Sequence, residues 1–375
     1  MDTAVQLQSV PTATKVNSDK AGGLAGAMVA KPAVKKRGLI LLNLGTPKST
    51  HSRDVGAYLR EFLMDPWVVD IAGPLRWFLV NFLIVPRRSR SSAQLYRKIW
   101  TERGSPLLFH LLDLTEKVQN QMGNTWCVKP AMRYGMPSIE AACCELKAAG
   151  ITDVHVFPLY PQYSLAATES SMRRCRKLIR EQIPEAKMNF VSPFYSQSVF
   201  VDAFARQIRA SLTDFAYDYL LFSFHGLPER QIKKTNVYTH KFCQFSDDCC
   251  SKLRNSNRNC YRAQCFETAR LIANELGLDE KRYGVSFQSR LGRTPWIKPY
   301  TDFVYDELGA KGIKRLAVCA PSFVADCLET LEEIQIRGKN QFIRSGGEDL
   351  RLIPSLNSSE PWVSAVCQLV QKSQA

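Results

Sequence analysis

From residue 38 onward the chain alternates short, continuous apolar runs with longer stretches in which apolar residues recur every three or four positions. The runs are GLILLNLG (38–45), CVKPAMRYG (127–135), DVHVFPLYP (153–161), MNFVSPFY (188–195), DYLLFSFHG (218–226), YGVSFQSR (283–290) and RLAVCAPSF (315–323). Their continuous hydrophobicity predicts strands covered on both faces, and strand alternating with helix predicts a mostly parallel, doubly wound α/β sheet. Two of the runs lie in matching contexts. GITDVHVFPLYP begins at Gly150 and GIKRLAVCAPSF at Gly312, while GLILLNLG and DYLLFSFHG precede them in the same order, so the pattern predicts two similar halves facing each other.

In open α/β sheets ligands sit beyond the carboxyl ends of the strands, which makes the residues just after each run candidates for a cleft. Those residues are Asn43 with Gly45, Arg133 with Tyr134, Tyr160 to Ser164, His225, Gln288 to Arg290, and the loop from Pro321 to Glu329. His225 stands out. It ends a buried-looking run in a chain with five histidines, Gly226 permits a tight turn after it, and Pro228 blocks an immediate helix. A hydrogen-bonded turn histidine is the plain alternative to a working imidazole.

The segment PSFVADCLETLEE (321–333) offers carboxylates. Asp326 followed by Glu329 has the spacing of a capping box, the simplest structural reading. Glu329 and Glu333, four apart on a helix, would share a face and repel unless a divalent metal or an exchanging proton lay between them.

Composition narrows the class. With 375 residues and 45% hydrophobic content, the chain exceeds what one core usually serves, and two domains are expected. The net charge of +15 favours an acidic partner, which could be nucleic acid, an anionic membrane or a carboxylate substrate. Twelve cysteines without an opening signal peptide, mostly within apolar runs, point to a reducing compartment. Residues 1–36, aperiodic and ending in basic residues, read as a flexible tail; a transit peptide is disfavoured because arginine is absent before Arg37.

GLILLNLGTP, MRYGMPSIEAA, FPLYPQYS, SFHGLPER, FQSRLGRTPWIKPYT and DCLETLEEI, in that order over roughly residues 38 to 360, resemble ferrochelatase, particularly its proteobacterial form. The resemblance implies insertion of ferrous iron into protoporphyrin IX, the terminal step of haem synthesis. It also implies a chelatase fold, with two Rossmann-like halves (37–195 and 196–375), each holding a parallel four-stranded sheet, around a porphyrin cleft. By the same likeness His225 and Glu329 are the catalytic pair, and Glu333 and Asp326 join them as contacts for Fe2+. Leu44, Tyr96, Arg133, Tyr134, Ser164 and Trp296 are placed around the macrocycle. Metallation removes two pyrrole protons, and a neutral imidazole suits that task; delivery of iron is the rival role for His225. Bending of the macrocycle against Tyr134 and Trp296 is a further expectation. Other tetrapyrrole chelatases, acting on coproporphyrin or loading cobalt into a sirohydrochlorin, are the nearest alternatives.

The segment 61–90 includes WVVDIAGPLRWFLVNFLIVPRRSR, whose best apolar stretch falls far short of the ~20 residues that span a bilayer. It reads either as a buried helix or as an interfacial lip, with Trp77, Phe78, Phe82 and Leu83 in the membrane and Arg87, Arg88 and Arg90 on anionic headgroups. Arg87 and Arg88 could equally hold porphyrin propionates. The expected site of action is therefore the cytoplasmic face of an inner membrane, ahead of a mitochondrial matrix, with a homodimer left open.

The stretch 231–265 departs from the ordinary family pattern and holds Cys243, Cys249, Cys250, Cys260 and Cys265. Leu165 and a C-terminal end offering only Cys367 exclude a [2Fe-2S] cluster of the animal type. A [2Fe-2S] cluster held within the insertion by Cys243, Cys250, Cys260 and Cys265 is the expectation, with Cys249 as substitute because adjacent residues rarely point at one centre; structural zinc or plain thiols are the alternatives. Cys327 stands where the animal form has a second histidine, so the metal route differs there. Seven basic residues in the insertion and the RRCRKLIR segment (173–180) would also suit a nucleic-acid binder, a reading set aside because such a protein has no use for His225, Glu329 and Trp296 together.

Overall fold

The computed structural model describes residues 36–235, 243, 247–292 and 294–373. The tail read over residues 1–36 lies, apart from Lys36, outside the described residues, as do 236–242 and 244–246 of the insertion. Residues 35–375 form one compact unit.

Among the described residues, eight strands make two parallel sheets: β1 (Arg37–Gly45), β2 (Trp126–Tyr134), β3 (Asp153–Pro158) and β4 (Lys187–Phe190), then β5 (Tyr219–His225), β6 (Tyr283–Gln288), β7 (Arg315–Cys319) and β8 (Asp349–Leu352). The first sheet runs β2-β1-β3-β4 and the second β6-β5-β7-β8, so each half repeats one topology and β1 corresponds to β5. This is the doubling inferred from the two pairs of runs. β8 had no counterpart among the seven predicted strands. Its four residues, DLRL, alternate charged with apolar and are too short to show a period.

The central strands are apolar throughout because helices cover both faces; Leu39 to Leu42 of β1 and Leu220 to Phe222 of β5 are buried. Leu39, Leu41, Leu220 and Phe222 belong to one shared core that also contains Trp362, so the halves are packed as a single body. The helix Glu360–Lys372 carries Trp362 back across the division, and Lys117 of the first half pairs with Glu360 at 2.8 Å.

Three helices contain π-helical segments, Leu79–Ile84, Leu165–Glu169 and Leu331–Gly338. Such widened turns are rare and concentrate at functional sites. The first lies in the expected lip, the second follows the YPQYS loop, and the third begins two residues after Glu329.

Candidate active site

β5 ends on His225, and hydrogen bonds fix its backbone on both sides. Its N–H donates to the Ser322 hydroxyl at 3.1 Å, and its carbonyl accepts from the Tyr261 hydroxyl at 2.9 Å. The ring Nδ1 lies 2.5 Å from the carbonyl oxygen of Gly226. A carbonyl can only accept, so Nδ1 carries the proton and Nε2 is left with its lone pair. The Trp296 and Phe323 rings flank the imidazole at 6.4 and 6.2 Å between centroids. Gly226 has a packing reason to be glycine: a Cβ there would meet the Gln288 carbonyl oxygen at 2.8 Å and Trp296 at 3.2 Å.

Gln288, paired in register with His225, is buried. Its side-chain oxygen accepts from Ser223 at 2.7 Å, and its amide donates to the Glu329 carbonyl at 2.8 Å. One side chain thus spans from the histidine strand to the carboxylate helix. Glu329 itself is half-buried. Facing it from the first half are Tyr58 and Tyr96, which share a hydrogen bond; burial first, together with the charge of Glu329, pushes both phenols well above their ordinary range. The Cys327 thiol, raised by burial and then by Glu329, hydrogen-bonds the same carboxylate. These groups remain protonated donors beside a carboxylate.

Glu333 is met from another side. Its oxygens accept from the Ser289 amide at 2.8 Å and the Ser289 hydroxyl at 2.5 Å, and Arg337 lies 3.9 Å away. Ser289 takes a positive φ of 66° to make this reach, a conformation non-glycine residues seldom hold without a reason. The neighbouring Glu332 is buried and joined to Lys98 of the first half at 3.1 Å.

The capping pattern read at Asp326 and Glu329 is displaced by one residue. Cys327 is the N-cap, and Thr330 completes the box. Asp326 instead accepts from Thr330 at 3.0 Å, from the Ser355 amide at 3.1 Å and from Asn357 at 2.8 Å, so its carboxylate anchors the loop that delivers Glu329. His110, which the sequence did not single out, lies close enough to Asp326 to feel its charge; burial nevertheless dominates and lowers the imidazole pKa.

Arg133 and Tyr134, expected against the macrocycle, are turned to a partner the sequence did not reveal. Asp65, almost wholly buried, accepts from Arg133, from Ser170, from the Tyr134 hydroxyl at 2.8 Å and from the Trp67 amide at 2.8 Å. Tyr134 is 0% exposed, so its ring has no free face for stacking and supports the cleft wall from behind. Ser164 is likewise used locally, its hydroxyl accepting from the Ala167 amide at the start of a π-helical segment. Leu44 and Trp296 are half-buried at their strand and loop ends, and Tyr96 faces Glu329.

In the lip, the chain is helical from Gly73 to Ile99. Val80 and Val85 face inward, while Leu75, Trp77, Phe78 and Phe82 are half or more exposed. Trp77 and Phe78 each pack against Phe82, and Arg87 and Arg88 are exposed beside them. A buried helix is therefore not what the sequence builds here. No helix among the described residues is long and apolar enough to cross a membrane.

Within the insertion, Cys249 Sγ and Cys250 Sγ are 3.5 Å apart, against the expectation that neighbours diverge. Cys250 hydrogen-bonds Cys260, which also feels Cys243 and Cys249. The Cys250 contact lowers the Cys260 pKa, helped by the Ala263 amide at the start of the helix Tyr261–Leu276. Cys265, fully buried, hydrogen-bonds Tyr261 instead. Arg262 is buried against Cys250 and Cys265, with its Nη1 unpartnered.

The ferrochelatase family profile matches residues 36–374. A ferrochelatase of Coxiella burnetii is 46% identical over 338 residues, covering 90% of this chain and 94% of its own, and one of Stutzerimonas stutzeri is 44% identical over 342 residues, covering 90% and 98%. Among solved structures, SirB from Bacillus subtilis with Fe3+ superposes with a TM-score of 0.50 at 11% identity, covering 91% of this chain and 96% of that one, a likeness of fold. The chain belongs to the ferrochelatase family, and is a metal chelatase of haem synthesis that inserts iron into protoporphyrin.

Proposed function

We propose that His225 Nε2 takes the pyrrole protons one at a time, releasing the first to solvent before it accepts the second, while ferrous iron approaches along Glu329 and Glu333. The observation that carries this is the Nδ1 contact with the Gly226 carbonyl, which leaves the other ring nitrogen as a fixed acceptor. Fe2+ enters as two protons leave, so the macrocycle ends neutral. Carboxylates suit the route because they hold a hard cation less tightly than thiolates, and the metal must be released. Cys327 would keep Glu329 hydrogen-bonded, with the neutral phenols of Tyr58 and Tyr96 beside it, and Asp326 contributes by anchoring the loop. Leu44 and Trp296 line the cleft, and the exposed Arg87 and Arg88 suit either propionates or lipid phosphates.

The exposed aromatics of the lip beside these arginines support seating on an anionic membrane face, where a hydrophobic porphyrin is dissolved. In the insertion, the contacts of Cys250 with Cys249 and Cys260, and a buried guanidinium lacking a carboxylate partner among the described residues, support a thiolate-bound [2Fe-2S] group; the described residues hold no ready-made metal-ligand cluster, so the cysteines would draw closer to bind it. Cys249 fits that set better than Cys265, which is engaged by Tyr261. When bound, such a group supplies one-electron redox chemistry.

Anaerobic haem formation from Fe2+ and protoporphyrin IX tests the reading. His225→Ala should lower kcat by roughly 10²–10⁴-fold, the scale of a lost general base. Glu329→Gln should also lower it while leaving the porphyrin KM in place. An active His225→Ala variant defeats the assignment. Loss of visible absorbance and bound iron in Cys250→Ser is the expected result for the insertion, and a colourless wild type holding zinc or no metal would remove the iron-sulfur group.

A further inference from the structure

Holding His225 in one tautomer requires more than the Gly226 carbonyl, because that carbonyl must itself be held. The peptide joining His225 to Gly226 is clamped at both ends: its C=O accepts from Tyr261 at 2.9 Å, and its N–H donates to the Gln288 carbonyl at 2.8 Å. With that plane fixed, the Gly226 carbonyl is aimed back at Nδ1. The Gln288 side of the clamp lies within the sheet. The Tyr261 side comes from outside it.

Tyr261 is the first residue of the helix Tyr261–Leu276, and Cys260 is that helix's N-cap. The ring is 5% exposed, so its hydroxyl has no water to fall back on. It also hydrogen-bonds Cys265 and Ser322, and Ser322 in turn receives the His225 amide. On the other side of the N-cap, Cys260 is tied to Cys250, and Cys250 touches Cys249. The next residue, Arg262, donates to the Lys298 carbonyl at 3.1 Å in the segment that carries Trp296. The first turn of this helix therefore reaches the cysteine group, the imidazole and the Trp296 segment at once.

We propose that Tyr261 is a positioning residue for iron insertion that transmits the state of the insertion's cysteine group to the catalytic imidazole through its hydrogen bond to the His225 carbonyl. This rests on His225 being the base. While Cys250 holds Cys260, the N-cap fixes the helix start and Tyr261 clamps the peptide; when that contact breaks, the helix start loosens and Nδ1 loses its aligned acceptor. The chelatase site is thereby coupled to the integrity of a group that does not touch substrate.

The test uses the full chain as purified, with Tyr261→Phe, which removes one oxygen and keeps the ring. Nitrogen-15 NMR of the five histidines, with the His225 signal assigned by its loss in His225→Ala, reports the tautomer without any turnover. The wild type should show Nδ1–H, and Tyr261→Phe a mixture with Nε2–H. The variant should lose about five- to tenfold in kcat, the scale of one hydrogen bond, with the porphyrin KM unchanged. Cys250→Ser should shift the tautomer likewise, and the double variant should be no worse than the poorer single one; Cys249→Ser stands in if Cys250→Ser does not fold. A wild-type tautomer and kcat in Tyr261→Phe, alongside an inactive His225→Ala, would sink the coupling and spare the base. Strictly multiplicative losses in the double variant would sink it as well. An active His225→Ala would bring down both.

Discussion

Asp65→Asn isolates what the buried charge at the cleft wall contributes. The carboxylate is acceptor-only and receives four donors, from Arg133, Tyr134, Ser170 and the Trp67 amide. Asparagine keeps the shape but turns one acceptor into a donor, so one amide orientation faces the Arg133 cluster donor to donor and the other faces Trp67. Removing one partner of a buried ion pair costs about 3–5 kcal/mol. Arg133 keeps 15% of its side-chain exposure, so solvent screening trims this to about 2–4 kcal/mol. For a chain of this size each kcal/mol moves Tm by roughly 1.4 °C, giving a fall of about 3–6 °C. Thermal unfolding by circular dichroism, with haem formation in parallel, is the assay. Replacing both partners, as Asp65→Asn with Arg133→Met, should recover part of the loss because no charge is left stranded. A single variant as stable as wild type, or a double variant no better than the single, would refute the argument.

Gln288→Met should cost about 1–3 kcal/mol and lower kcat more than it changes the porphyrin KM, because it cuts the link from Ser223 to the Glu329 carbonyl; urea unfolding and steady-state kinetics read the two effects. His155 is buried and its pKa is lowered first by burial, so the folded state prefers the neutral ring while the unfolded chain takes up a proton below about 6.5. Its contribution is complete above that pH and is lost as pH falls from there through the lower folded pKa; His155→Phe should flatten the drop in urea midpoint between pH 7.5 and the acid side, and an unchanged slope would exclude His155 as its source. Trp77→Ser with Phe82→Ser should weaken flotation with anionic vesicles while leaving Tm alone, since both rings are more than half exposed; equal flotation by the variant would argue against the lip as the contact.

What could be read along the chain was whatever depends on neighbours in sequence. Continuous apolar runs marked seven of the eight strands, and the matched runs disclosed the doubling, because period and order are local properties. β8 escaped because DLRL is both short and half charged. Of the residues named after the strands, Gln288, Ser322 and Phe323 lie against His225, but other partners were hidden: Asp65 is 68 positions from Arg133, and Gln288 is 41 from Glu329. No periodicity reports a contact over such a separation. Tyr58 was missed for the same reason, since it meets Glu329 only after the halves close. The closeness of Cys249 and Cys250 was hidden too, as the short 3-10 turn Asp247–Cys250 brings their sulfurs to 3.5 Å.

The doubling also explains why the chemistry is one-sided. The last residues of the two central strands pair with the last residues of their neighbours, Gly45 with Tyr134 and His225 with Gln288, so by register the first half has a glycine where the second has the imidazole. Each terminal glycine is forced by the neighbouring strand: a Cβ on Gly45 would meet the Tyr134 carbonyl oxygen at 2.0 Å, and one on Gly226 the Gln288 carbonyl oxygen at 2.8 Å. The adjacent strands then diverge. Where the second half sends Gln288 to hold the Glu329 helix, the first half sends Arg133 to a buried Asp65. The same architecture thus builds a charged, self-satisfied wall from β2 and an imidazole with one fixed acceptor nitrogen from β5.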